Sequence, residues 1–279
     1  MPKVKVNAIQ MYYEVKGEGF PLLMINGMSD NLDCWNPCLT GALSKKFKMI
    51  LFDNRGAGRT DVSDREYTIK LFADDTAGLM GALGISRAHI LGLSMGGMVA
   101  QELAINYPEK VSKLVLCSTG SQWSPNKETS RIVLAMDRGC SIKELAEIYL
   151  SFPFVNDYPL DYVRRDPTVV NVFTADFVKE NPESVNFYYK RFREHMISEE
   201  ASRRQFSAVK RCNTQGRLRQ IRAPTLVLHG KKDFVFPPEN GSNLAKAIPN
   251  ARLVLFEQSA HYLAEEIEEV TKVITEFLL

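Results

Sequence analysis

The chain has 279 residues, of which 45% are hydrophobic and 24% are charged. These values are ordinary for a globular protein and exclude a disordered or collagen-like chain, and the length suits one large domain or a core with an insertion. The 35 Lys and Arg residues against 33 Asp and Glu residues give a net charge of +2, too balanced for binding nucleic acid or an anionic membrane.

No segment predicts export or membrane insertion. The first residues, MPKVKVNAIQM, alternate as a strand does and lack the apolar stretch of a secretory signal. No later apolar run is long enough to cross a bilayer. The five cysteines lack the CxxC spacing of a metal or redox site. We therefore expect a cytoplasmic protein with free thiols and no metal site.

Apolar runs and alternating runs predict the strands of a sheet. In chain order they lie at residues 4–15, 21–27, 47–53, 88–94, 113–120, 223–230 and 251–257. Amphipathic segments between them predict helices, for example from Tyr67 to a stop at Gly84, and from Met95 to a stop before Pro108. This alternation predicts a mostly parallel α/β sheet with helices on both faces.

The pattern changes after residue 120. Residues 121–216 contain no convincing strand and many helical stretches, such as SIKELAEIYLSF. The strand pattern then resumes at residue 223 and the chain closes with a helix. We therefore expect a core of residues 1–120 and 217–279 and an inserted helical cap of residues 121–216.

The strongest local signal is the segment Gly92-Leu93-Ser94-Met95-Gly96, which joins a predicted strand directly to a predicted helix. This is the G-x-S-x-G pattern in the context that it requires. A nucleophile on so sharp a turn has a strained backbone, and the small flanking residues let the strand and the helix approach. We predict that Ser94 projects above the carboxyl edge of the sheet as a nucleophile.

A serine nucleophile needs a base and an acid that orients the base. Of the four histidines, only His261 lies in a loop after the last strand, whereas His89 and His229 lie within strands and His195 lies in the helical region. We interpret those three as satisfied or solvated side chains and predict that His261 is the base. Asp233 follows the preceding strand directly and is the predicted acid.

With these motifs in place, the chain resembles the α/β-hydrolase superfamily over nearly its whole length, cap excepted. The segments GLSMG, DNRGAGRTD, HGKKD and SAH carry the resemblance, in the order that the family uses. It implies the α/β-hydrolase fold, with a mostly parallel eight-stranded sheet. It also implies an oxyanion hole formed by the backbone N–H groups of Met28 and Met95.

At one position the chain departs from the family's pattern, and a second family segment is interpreted as structural. Asn26 occupies the usual histidine position of the family's H-G-x segment, and this form looks more like enol-lactonases and small carboxylesterases than like lipases. The family's tight turn maps onto Asp53, Arg55, Gly56 and Gly58, which we interpret as structural residues.

The expected function is therefore a serine hydrolase that cleaves a small to medium carboxylic ester or lactone through an acyl-enzyme on Ser94. Asn26, Trp123 and Tyr262 are candidate substrate contacts. Basic residues of the cap could hold a substrate carboxylate, as an enol-lactone would carry, although a solvated helix face is the favoured interpretation: Arg164, Arg165, Arg191 and Arg193. A small-molecule ester or lactone is the expected partner, a homo-oligomer is left open, and no metal or organic cofactor is implied.

Two classes of alternative remain. The same triad could catalyse C–C bond hydrolysis, thioester cleavage or peracid formation, and likeness of fold does not separate these reactions. The second alternative is a non-catalytic ligand-binding protein on this fold, which an intact Ser94, Asp233 and His261 set disfavours.

Overall fold

The computed structural model describes residues 2–125 and 127–279. Eight strands form one sheet: β1 (Lys3–Val6), β2 (Ile9–Lys16), β3 (Phe20–Ile25), β4 (Phe47–Phe52), β5 (Ala88–Leu93), β6 (Val111–Cys117), β7 (Thr225–Gly230) and β8 (Arg252–Phe256). Their spatial order is β1-β2-β4-β3-β5-β6-β7-β8. The first two strands pair antiparallel and β2 pairs antiparallel with β4, while all later pairs are parallel.

The helices of the described chain are α1 (Pro37–Leu43), α2 (Ile69–Ala82), α3 (Met95–Asn106), α4 (Lys127–Asp137), α5 (Ile142–Leu150), α6 (Leu160–Arg165), α7 (Val169–Val172), α8 (Ala175–Glu180), α9 (Pro182–Glu194), α10 (Glu199–Arg211), α11 (Glu239–Ala247) and α12 (Ile267–Leu278). The predicted α/β-hydrolase fold is confirmed.

Continuous apolar runs explain why the middle strands lie inside the sheet. Every residue of β5 and of β7 is buried, as is expected for parallel strands covered by helices on both faces. One face packs against α2, α3 and α11, and Met98 and Leu244 belong to that core. The other packs against α1 and α12 through residues such as Leu43 and Val273.

Between β6 and β7 the chain forms α4 to α10, which we call the helical insertion (residues 121–216). An isolated β-bridge between Gln122 and Asn213 joins its two ends. It has an apolar cluster of its own, which includes Tyr149, Phe173 and Val185. Many of the aromatic residues of this segment therefore stabilise the insertion itself. Its division from the rest of the chain as a separate cap domain stays a prediction.

A buried ion pair ties the turn after β4 to the helix that follows. Two nitrogens of the Arg55 guanidinium each lie 2.7 Å from an oxygen of Asp75 on α2, and both side chains are almost completely buried. Asn7, in the turn between β1 and β2, donates to the same carboxylate at 2.7 Å. Three elements thus meet at Asp75.

Two further observations concern the described residues. No helix among them has the length and apolar character needed to cross a bilayer. The five cysteines carry free thiols, and Cys34, Cys117 and Cys212 are buried.

Candidate active site

Ser94 lies between the last residue of β5 and the first residue of α3. Its backbone has φ 55° and ψ −120°, a conformation that non-glycine residues rarely adopt and that functional residues often show. Two neighbours hold it in place. The Ser94 N–H donates to the Cys117 carbonyl at 2.9 Å, and the Thr119 hydroxyl donates to the Ser94 carbonyl at 2.7 Å.

The two glycines of the turn are required by close backbone contacts. A methyl group on Gly92 would lie 2.3 Å from the Gly96 carbonyl oxygen, and one on Gly96 would lie 2.1 Å from the Ile25 carbonyl oxygen. The first turn of α3 therefore rests directly on the end of β3. The contact extends to the following loop, since the same methyl group on Gly96 would lie 2.6 Å from the Asn26 carbonyl oxygen.

Asp233 and His261 come together at the same edge of the sheet. Nδ1 of His261 and Oδ2 of Asp233 are 2.8 Å apart, and both side chains are buried. The other carboxylate oxygen accepts from the backbone N–H groups of Val235 and Phe236, each at 2.9 Å. The Phe236 ring stacks on the imidazole, with ring centroids 6.1 Å apart. Because Nδ1–H donates to Asp233, Nε2 is left to accept a proton.

Asp233 is held as an anion by the imidazoles beside it. Burial favours a raised pKa for Asp233, but attraction to His261 and hydrogen bonds from His229 and His261 keep the pKa below its usual value. Ser94 Oγ and His261 Nε2 are not hydrogen-bonded in this structure. Such catalytic bonds often tighten only when substrate is in place.

His229 is a site residue that sequence analysis did not identify. Its Nε2 lies 2.7 Å from the Phe236 carbonyl oxygen and 3.3 Å from Oδ2 of Asp233. The sequence feature that could have identified His229 is its position near the end of β7, four residues before the predicted acid Asp233. By contrast, His89 packs between Phe20 and Phe47 at the other end of β5, where burial, with a smaller effect of Lys113 and Arg87, lowers its pKa to about 4.

The loop after β3, residues 26–31, contains the predicted oxyanion donor Met28. Among the described residues, the N–H groups of Met28 and Met95 donate no hydrogen bond, as donors reserved for a substrate oxygen would require. Ser29 has a φ of 67°, so the loop is strained immediately after Met28. We call residues 26–31 the oxyanion loop.

Two helices of the insertion hold the oxyanion loop. The Ser29 N–H donates to Oε1 of Gln205 at 2.8 Å, and the Ser29 hydroxyl lies 3.0 Å from that of Ser202. Both partners are on α10. Asn31 donates to the Arg191 carbonyl of α9 at 3.1 Å. The loop is therefore built partly from the core and partly from the insertion.

Gln205 is completely buried and joins two loops. Besides accepting from Ser29, it donates through Nε2 to the Arg55 carbonyl at 3.0 Å. Sequence analysis did not single out this residue, because a lone glutamine in an amphipathic helix carries no motif.

The turn from Asp53 to Gly58 contacts the oxyanion loop and the residue after it, and Asn54 Nδ2 donates to the Asn26 carbonyl at 3.1 Å. Asp53 accepts from the backbone N–H of Leu32 at 2.7 Å and from that of Arg59 at 2.8 Å. A methyl group on Gly58 would lie 2.3 Å from the Asp53 carboxylate. These contacts agree with the structural interpretation of this turn.

The three candidate substrate contacts occupy different places. Asn26 is buried, its Nδ2 has no hydrogen-bond partner among the described residues, and it lines a cavity of about 30 Å³ together with Leu93. Trp123 packs edge-on against Phe206 of α10, with ring centroids 5.4 Å apart. Tyr262 follows His261 directly, and its hydroxyl contacts Asp30.

The arginines considered as carboxylate ligands face outward. Arg164 is exposed, Arg165 and Arg193 pair with Asp166, and Arg191 pairs with Glu194. They form a solvated helix surface, as the favoured interpretation had it.

A cavity of about 1110 Å³ lies between α8, α9 and the residues that lead into α12. Tyr188 and Tyr262 line it, whereas Ser94 and His261 do not. Seven carboxylates face this cavity, three from residues 176–183 and four from residues 265–269, with Lys232 as the only basic side chain in its wall. The cavity is therefore strongly acidic.

A family model described as alpha/beta hydrolase fold matches residues 21–139 and 156–266, well over half of the chain. The chain belongs to this family. A crystal structure of an enol-lactonase from Burkholderia xenovorans LB400 is similar to the chain, with a TM-score of 0.82, 28% sequence identity and 99% of each chain covered.

Two relatives are similar in sequence. A protein of Mycobacterium tuberculosis (strain CDC 1551 / Oshkosh) named "Putative non-heme bromoperoxidase BpoC" is 30% identical over 254 residues, 91% of each chain. One of Azorhizobium caulinodans named "Putative carbamate hydrolase RutD" is 26% identical over 261 residues, 94% of this chain and 91% of the relative. The family and its members support a hydrolase on this fold.

Proposed function

We propose that the chain hydrolyses a carboxylic ester or lactone through an acyl-enzyme on Ser94. The observation that carries the proposal is the buried His261–Asp233 pair, with Nδ1 and Oδ2 2.8 Å apart, which lies at the sheet edge where Ser94 is strained. Similarity to an enol-lactonase at 28% identity supports the lactone or ester class.

In the proposed reaction, His261 Nε2 takes the hydroxyl proton as Ser94 Oγ attacks the carbonyl carbon. The N–H groups of Met28 and Met95 stabilise the negative oxygen, each by about 3 to 4 kcal/mol. His261 then gives the proton to the departing alkoxide. Water, deprotonated by the same imidazole, attacks the acyl-enzyme and releases the acid, and Ser94 regains its proton. Asp233 orients His261 and stabilises its charged form throughout.

In this proposal the helical insertion acts as a cap that shapes the acyl site. The candidate substrate contacts in this acyl site remain Asn26, Trp123 and Tyr262. The C–C bond hydrolase and thioesterase alternatives would use the same three side chains.

A second candidate reaction is peracid formation, because the mycobacterial relative is named a peroxidase, a class of enzyme that uses peroxide. Here hydrogen peroxide replaces water in the second step, and attacks the acyl-enzyme to give the peracid. A comparison of acyl transfer to water and to added peroxide distinguishes the two reactions.

The test uses a fluorophosphonate probe and p-nitrophenyl esters of increasing chain length, with an enol-lactone and a thioester beside them. We expect the wild-type protein to be labelled and to hydrolyse an ester, and Ser94→Ala to lose both, with kcat reduced about 10³-fold or more. Ser118→Ala, at the end of the neighbouring strand, is the matched control and should still be labelled. Equal labelling of wild type and Ser94→Ala would rule out Ser94 as the nucleophile.

A further inference from the structure

A buried carboxylate lies in the oxyanion loop, and no step of the proposed reaction uses it. Asp30 is 3% exposed. Its Oδ1 accepts from the Tyr188 hydroxyl at 3.0 Å, and its Oδ2 accepts from the Tyr262 hydroxyl. The two hydroxyls are themselves 3.2 Å apart. No lysine, arginine or histidine in the described ranges forms an ion pair with this carboxylate.

The Asp30 carboxylate and the Ser94 side chain both lie close to Gly27. A methyl group placed on Gly27 would lie 3.2 Å from Oδ2 of Asp30 and 3.5 Å from Cβ of Ser94. Oδ2 of Asp30 and Cβ of Ser94 are therefore no more than about 7 Å apart. An acyl group bonded to Ser94 Oγ would be formed beside this carboxylate.

A negative charge at this position acts strongly on any charge in the acyl group. Two charges about 6 Å apart at an effective dielectric constant of about 20 interact strongly enough to change a rate constant by tenfold or more. A carboxylate can only accept hydrogen bonds, so it attracts ammonium and N–H or O–H groups and repels a second carboxylate. The outward-facing arginines offer nothing to compensate that repulsion.

Burial raises the pKa of Asp30 to about 7, against a smaller opposing effect of the Tyr188 hydrogen bond. An assay at about pH 8.5 therefore has Asp30 mainly in its charged form. Beyond the two tyrosines, the large acidic cavity reinforces the negative potential on that side.

We propose that Asp30 is a specificity-determining residue, which makes the acyl site accept uncharged or cationic acyl groups and reject acyl groups that carry a carboxylate. The proposal rests on the proposed acyl-enzyme at Ser94 and narrows its substrate class. Tyr188 and Tyr262 act as positioning residues for the carboxylate.

Three p-nitrophenyl esters with six-carbon acyl chains test the proposal on the wild-type protein: the hexanoate, the 6-aminohexanoate and the monoadipate. They end in a methyl, an ammonium and a carboxylate group, respectively. At about pH 8.5, we expect kcat/KM for the monoadipate to lie about tenfold or more below that for the hexanoate. We expect the 6-aminohexanoate to be hydrolysed at least as well as the hexanoate. Equal kcat/KM values for hexanoate and monoadipate would overturn the proposal.

Asp30→Asn keeps the shape and removes the charge, so the preference for hexanoate over monoadipate should fall about fivefold or more, through faster monoadipate hydrolysis. Asp161→Asn, on the exposed surface of α6, changes the net charge equally and should keep the wild-type preference. If Asp30→Asn does not fold, Asp30→Ser replaces it. An unchanged preference in the Asp30 variant would also overturn the proposal.

Failure of the parent function has a different signature. If the wild-type protein hydrolyses none of the three esters faster than Ser94→Ala, the acyl-enzyme itself is wrong and the specificity proposal falls with it. If hexanoate hydrolysis depends on Ser94 but the preference does not depend on Asp30, only the specificity proposal is wrong.

Discussion

At Gly96, the first turn of α3 lies so close to the end of β3 that there is no room for a side chain. Because a methyl group there would lie 2.1 Å from the Ile25 carbonyl oxygen, any larger residue must push α3 away from the strand that leads into the oxyanion loop. Strain at Ser94 is tolerated only while these two elements stay in contact.

We therefore expect Gly96→Ala to destabilise the fold by about 1 to 3 kcal/mol, as overpacking of a rigid site does, and to lower kcat even where the protein remains folded. Urea unfolding and ester hydrolysis measure the two effects. Gly81→Ala in α2 is the matched control, since nothing lies within 4 Å of the added methyl group, and it should stabilise the protein by about 0.5 to 1 kcal/mol. Equal stability of the two variants would contradict this account.

Individual site residues differ in how far the sequence predicts them. Ser94 directly follows a strand, and Asp233 and His261 lie in the loops after the last two strands. Because strand ends can be located from apolar runs, their shared edge was predictable. Asp30 and Tyr188 were not, because their contact joins positions 158 residues apart through the packing of the insertion. No local pattern records such a contact.

At the scale of elements, α10 supports the oxyanion loop through one buried side chain. Gln205 satisfies the Ser29 N–H at 2.8 Å and the Arg55 carbonyl at 3.0 Å. Without these bonds, the buried Arg55 carbonyl and the partly buried Ser29 N–H would lose their partners, at a cost of about 1 to 3 kcal/mol for a buried group. The strained Ser29 would also be free to move, and Met28 is its neighbour.

Gln205→Leu should therefore reduce kcat for ester hydrolysis about tenfold to a hundredfold while changing KM much less, because the proposed oxyanion donor Met28 would act mainly in the transition state. Steady-state kinetics with p-nitrophenyl hexanoate measure the two constants. Ser202→Ala removes only the hydroxyl contact to Ser29 and should reduce kcat to a smaller extent. A Gln205→Leu enzyme with raised KM and normal kcat would show that the contact serves binding instead.

The order of elements was largely predictable, and their packing was not. Fully buried runs such as those of β5 and β7 identify strands with covered faces, and the change of pattern after residue 120 identifies the insertion. The sequence of the insertion contains helices of strong amphipathicity but no indication of which face meets the oxyanion loop. Only the structure shows which faces these are, through the hydrogen bonds of α9 and α10 with residues 29 to 31.

At the scale of the whole molecule, buried carboxyl groups couple stability to pH. Burial raises the pKa of Asp30 from 3.8 to about 7. Between these two pH values, the Asp30 carboxyl group is protonated in the folded protein and deprotonated in the unfolded chain. The stability contributed by this proton is present below the unfolded pKa and is lost as pH rises through the folded pKa. Burial also raises the pKa values of Asp53 and Glu265.

Asparagine cannot be ionised in this pH range, so Asp30→Asn removes the contribution of residue 30 to the pH dependence of the free energy of unfolding. Relative to wild type, Asp30→Asn should gain stability on the order of 2 kcal/mol between pH 5 and pH 8, at about 1.4 kcal/mol per pKa unit. Urea unfolding of both proteins at several pH values measures the difference, in which the effects of Asp53 and Glu265 cancel. Parallel stability curves would show that Asp30 has the same pKa in the folded and unfolded chains.

The hydrogen bonds between Ser29 and α10 have a consequence for engineering. Exchange of the helical insertion with that of a relative is an obvious route to new substrates, because the insertion begins and ends at one β-bridge. Such a chimera would also remove the glutamine that fixes the oxyanion loop. An active chimera has to keep Gln205 and Ser202 where they can hydrogen-bond to the loop after β3. The choice of insertion is therefore limited by the needs of the proposed catalysis as well as by packing against the core.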